Sequence, residues 1–64
     1  MTEELETAQR FRLRAEEVRT IAEDVRDKAI KESLIRIAAD YDQMAATLVA
    51  IDESRATLNR PQSA

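Results

Sequence analysis

Apolar residues recur along this chain with a seven-residue period, and the period breaks once. In the first half, Ala8, Phe11, Ala15, Val18, Ala22 and Val25 follow one another at steps of three and four. That spacing places them on one stripe of a helix, with alanine at every first heptad position. In the second half, Ile30, Leu34, Ile37, Tyr41, Met44, Leu48 and Ile51 follow the same rule. Leu58 continues the frame and Arg55 interrupts it. The two stripes do not share a phase. Continuing the first predicts core positions at Ala29, Glu32 and Arg36, two of which are charged, and the step from Val25 to Ile30 is one that a continuous seam does not take.

The phase break predicts a turn at Arg26-Asp27. Asp27 suits an N-cap, its carboxylate accepting from the free N–H groups of a helix that starts at Lys28. Arg26 suits the negative end of the preceding helix. Thr2 can cap the first helix, with Glu3 and Glu4 in its first turn. Pro61 disfavours helix at Arg60 and should stop the second helix near Asn59. The expectation is therefore one domain over 1–60, made of helix 3–25, turn 26–27 and helix 28–59, with a frayed tail at 61–64. At 1.5 Å per residue the helices are roughly 35 and 48 Å long. The rival is a single unbroken helix, since no Gly or Pro enforces a bend. The fold class is all-α, a two-helix antiparallel hairpin.

Composition then decides how such a hairpin is stabilised. The chain has 64 residues, Cys 0, His 0, Gly 0 and Pro 1. A chain this short needs a disulfide, a metal, oligomerisation or unusually good helix packing. Without Cys or His the first is excluded, and so are thiolate and imidazole metal sites and Cys or His catalysis. Without Gly there is no phosphate-cradling loop. Charged residues make up 36% and apolar residues 44%, which suits a coiled coil or helical bundle. One hairpin leaves much of the second stripe in water, above all AATLVAI at 45–51. Two hairpins face to face would close a four-helix bundle. The expected partner is a second copy, as a homodimer or larger assembly, or another helical protein. Its interface and core are expected at Phe11, Val18, Val25, Ile30, Leu34, Ile37, Tyr41, Met44, Leu48 and Ile51. Small alanine layers of the first helix are expected to face the large layers of the second, with Ala38 and Ala45 flanking that second seam. Leu13, Ile21, Ile35 and Val49 lie off both seams.

Candidate chemistry changes this picture little. The acids at Glu16/Glu17, Glu23/Asp24, Asp40/Asp42 and Asp52/Glu53 lie mostly off the seams and read as a solvated face. Carboxylate magnesium sites in helical pyrophosphohydrolases use Glu-Glu-x-x-Glu, and here Glu16-Glu17-Val18-Arg19 is followed by Thr20. Asp40 is expected to pair with Arg36 one turn earlier or with an arginine on another helix. No hydroxyl has a His or an evident Lys base beside it, so nucleophilic catalysis has no support. Tyr41 and Met44 read as core residues. No metal, cofactor or enzymatic activity is expected.

The segment RFRLR at 10–14 invites a nucleic-acid reading. On a helix Arg10 and Arg14 are neighbours and Arg12 lies roughly opposite, so the three make no single patch. Each also has an acid about one turn away: Glu6, Glu16 and Glu17. The architecture is similar to that of the Rop-type plasmid-copy-number proteins, dimers of helical hairpins that bind paired RNA loops. That similarity makes a small RNA- or DNA-binding regulator the alternative function, with Arg10 and Arg14 as its contacts. The net charge of −3 argues against a general polyanion binder, and nucleic acid is not the expected partner. No apolar run reaches the ~20 residues of a membrane span, and the acidic MTEELE is neither a signal nor a transit peptide, so a cytoplasmic location is expected.

The segments AEEVRTIAED (15–24) and LIRIAADYDQMA (34–45) resemble a class of short, uncharacterised helical-hairpin proteins of alphaproteobacteria. Those read A-E-E-x-R-x-x-A-E, a turn, then L-x-x-I-A-x-D-Y-x-x-M/L-A. The resemblance covers about half the chain, and Lys28 stands where that class carries proline. It implies a hairpin and no activity. The expected function is accordingly that of a non-enzymatic, self-associating helical hairpin acting through protein contacts.

Overall fold

The structure, a computed structural model, describes residues 2–59. It contains two helices packed against each other, α1 over Glu3–Glu23 and α2 over Lys28–Asn59. No strand occurs among the described residues. The expected stop at Arg60-Pro61 and the tail at 61–64 lie outside them.

Both helix starts follow from their caps. Thr2 is extended (φ −78°, ψ 161°) and its Oγ1 accepts from Leu5 N at 3.2 Å. Glu3, Glu4 and Glu6 then stand in the positive first turn of α1. At α2, Asp27 Oδ1 accepts from Ile30 N at 3.1 Å and the Asp27 carbonyl accepts from Lys31 N at 2.9 Å. The first turn of α2 holds no acid, so Lys28 and Lys31 face the positive helix end with only the Asp27 cap to offset them. Asp27→Ala should cost about 1–2 kcal/mol, the upper part of the range for a lost cap, and Asp27→Asn should restore most of it. Urea unfolding followed by circular dichroism reads both.

The first helix ends at Glu23, two residues before the expected Val25. The N–H groups of Asp24 and Val25 donate to the Ile21 and Ala22 carbonyls, both at 3.2 Å. These i to i−3 bonds tighten the last turn and close the helix early. The connection therefore runs from Asp24 to Asp27, and it is made without any positive φ. That is why a chain lacking glycine can turn here.

Among the described residues only alanines are fully buried: Ala8, Ala15 and Ala22 on α1, Ala38 and Ala45 on α2, all at 2% exposure or less. Each set is spaced by seven, so each forms a straight column, and together they mark the line of closest approach. The large residues of α2 expected in the seam lie beside this line or in the open, so the hairpin itself packs on small side chains, which permits a close interhelical approach.

Candidate interaction face

The large side chains lie beside the alanine seam rather than in it. On α1 and the turn, Phe11, Val18 and Val25 form a half-buried column next to Ala8, Ala15 and Ala22. On α2, Leu34, Tyr41 and Leu48 form the matching column next to Ala38 and Ala45. The Phe11 and Tyr41 rings approach to 5.8 Å between centroids with a 33° tilt, so both columns are on the same side of the hairpin. Such an aromatic pair adds about 0.5–1.5 kcal/mol to the area it buries.

The ends of these columns explain an apparent flaw in the heptad pattern. Arg55 occupies the position seven after Leu48, and Glu4 the position seven before Phe11. The Arg55 guanidinium pairs with the Glu4 carboxylate, so charge closes the columns where apolar residues stop. The Glu4 side chain is only 17% exposed. On the other side of the seam Arg19 pairs with Asp42, both about half exposed. These two ion pairs join residues 51 and 23 positions apart. Asp42→Ala should therefore cost no more than about 0.5 kcal/mol and lose even that in high salt. Arg55→Ala should cost more, about 1 kcal/mol, because it leaves a shielded carboxylate without a partner. A double-mutant cycle on each pair measures the difference.

The remaining expected core residues of α2 are exposed. Ile30 is 53% exposed, Ile37 45%, Met44 42% and Ile51 41%. Leu58, in the same seven-residue column, is 83% exposed. The expected seam thus divides: Leu34, Tyr41 and Leu48 flank the contact with α1, while Ile30, Ile37, Met44 and Ile51 point away from it, and Ala38 and Ala45 take the central place. The two apolar columns of α2 adjoin, so Phe11, Tyr41, Leu48 and the exposed stripe make one continuous face. An open depression of ≈ 280 Å³ lies at its middle, lined by Phe11, Met44 and Leu48 with Gln43 and Thr47.

A comparison with family models, with curated proteins and with solved structures finds no match to this chain. The face must therefore be judged on its own residues. Ile21 at 58% exposure has the helical position to extend it at the rim of α1. Leu13 and Ile35 are exposed elsewhere on their helices, and Val49 is half-buried.

The candidate chemistry falls on exposed, separate positions. Arg10, Arg12 and Arg14 are exposed. Among the described residues none of them makes an ion pair, so the contacts expected with Glu6, Glu16 and Glu17 are not formed. Those acids still share the helix surface within about a turn, which keeps the local field near neutral. Asp40, expected to pair with Arg36 or another arginine, likewise has no ion-pair partner among the described residues. Thr7, Thr20, Ser33 and Thr57 each donate to the carbonyl four residues earlier at 3.0 Å, so these hydroxyls are engaged by their own helices. Among the described residues no three acids come together as a metal site, and neither helix is long and apolar enough to cross a membrane.

Proposed function

We propose that this protein is a non-enzymatic, self-associating helical hairpin: two copies pack their apolar faces into a four-helix bundle, and the bundle acts through protein contacts. The observation that supports this most is surface left uncovered. Ile30, Ile37, Met44, Ile51 and Leu58 stand 41–83% exposed in one seven-residue column of α2, beside the half-buried Phe11, Tyr41 and Leu48.

Within the hairpin the fully buried alanine methyls supply about 4 kcal/mol, at about 0.8 kcal/mol each, and the large residues beside them are only half-buried. Covering the apolar face gives the hairpin the core it lacks alone. Sedimentation equilibrium at micromolar concentration should give twice the chain mass or a larger multiple. A stable monomer at that concentration overturns the proposal.

A further inference from the structure

We infer that the two copies meet along α2, antiparallel, about a twofold axis passing beside Met44. This rests on the self-association proposed above and specifies its geometry. The exposed stripe Ile30, Ile37, Met44, Ile51 and Leu58 keeps a strict seven-residue step over nearly the whole of Lys28–Asn59. A straight apolar line of that period is matched along its length by another helix.

The stripe is symmetric about Met44. Antiparallel pairing sets Ile30 against Leu58 of the second copy, Ile37 against Ile51, and Met44 against Met44, so every level is aliphatic or thioether. Met44 also lies at the middle of α2, which gives full overlap. This matters because α2 has 32 residues against 21 in α1. The end of α2 carries Leu58 at 83% exposure, and in this arrangement it lies along the turn-proximal half of the other α2.

The flanks select this register. Beside the stripe, Asp40 comes opposite Thr47 of the second copy, and Tyr41 opposite Leu48. Sliding one heptad so that Ile37 meets Met44 sets the two Asp40 carboxylates against each other. Sliding the other way leaves Ile30 unpaired. The depression between Phe11, Met44 and Leu48 lies next to the axis, where the second copy's central side chains would fill it.

The absence of native cysteine allows a direct test with single introduced cysteines and a short thiol-to-thiol cross-linker. Met44→Cys should yield covalent dimer. Ile37→Cys alone and Ile51→Cys alone should not, because the like positions stand about 21 Å apart at 1.5 Å per residue. Mixing those two variants should restore the dimer band. Ser33→Cys and Ser54→Cys on the rim should repeat that pattern, which keeps the test valid if a stripe substitution weakens association. Dimer from Ile51→Cys alone and Ser54→Cys alone would show parallel copies and overturn this geometry. So would a sedimenting dimer in which Met44→Cys does not cross-link. Either result leaves self-association standing, whereas a monomeric wild-type protein removes both.

Discussion

Replacing Ala15 or Ala38 with leucine should unfold much of the hairpin at ambient temperature, whereas the same change at Ala39 or Ala46 should leave it intact. Ala15 and Ala38 are both 0% exposed at the line of closest helix approach. The methyl group there sets the interaxial distance. Three additional carbons have no room unless the helices separate along their whole length, which also parts Phe11 from Tyr41 and Glu4 from Arg55. Overpacking of this kind costs about 1–3 kcal/mol in an ordinary core. The effect should sit at or beyond the top of that range, because this seam has no larger side chains that could shift to relieve it. Ala39 and Ala46 lie on the same helix and are exposed, so leucine there changes stability by no more than about 0.5 kcal/mol. Thermal unfolding followed by circular dichroism, with all four variants at one concentration, decides the matter. Equal effects at the four sites would show that the alanine column does not set the packing.

The second large effect concerns the uncovered face. Ile37→Asp combined with Ile51→Asp should abolish self-association. Each substitution puts a carboxylate into the apolar stripe, and the dimer would have to desolvate four of them with no cation opposite. A loss of at least 1,000-fold in association is expected, or about 4 kcal/mol at 1.4 kcal/mol per tenfold. Leu13→Asp is the control: Leu13 is 59% exposed and lies away from this face, so association should be unchanged. The readout is the concentration dependence of the unfolding midpoint. A self-associating chain melts higher as its concentration rises. That dependence should be present in the wild type and in Leu13→Asp, and absent in the double variant, whose midpoint should also be lower. A wild-type midpoint independent of concentration would argue that the face is not an interface between copies.

Much of the hairpin is legible in the sequence. The change of heptad phase after Val25 located the turn, and Thr2 and Asp27 marked the helix starts, because capping is a local interaction between a side chain and N–H groups two or three residues on. Both columns of the α1 stripe, the buried alanines and the half-buried Phe11, Val18 and Val25, turn toward α2, because together they are the main apolar stripe that α1 has. The end of α1 at Glu23, two residues before the expected Val25, is not legible in the sequence. Its closure by i to i−3 bonds leaves no signature in a stretch without Gly or Pro.

Which column of α2 turns toward α1 is not legible in the sequence, and the reason is physical. Two seven-residue columns flank Leu34, Tyr41 and Leu48: Ile30, Ile37, Met44 and Ile51 on one side, Ala38 and Ala45 on the other. Ranked by hydrophobicity, the first column is the better core. Within a hairpin the second fits better, because the alanine column of α1 brings the backbones too close for isoleucine. Such a choice depends on both helices at once. The ion pairs follow the same division. An acid and a base one helical turn apart can be paired on paper, as Glu6 and Arg10 were, but Arg19–Asp42 and Glu4–Arg55 exist only because the chain doubles back.

Taken by itself, the sequence determined what is periodic and local: two helices, their N-caps, the place of the turn, and a surplus of apolar surface for so short a chain. The tertiary structure alone decided the rotation of each helix about its axis. That rotation turned five alanines inward and left one column of large side chains facing water. Helix rotation is set by how closely two backbones can approach, a property of the pair that neither helix carries in its own pattern.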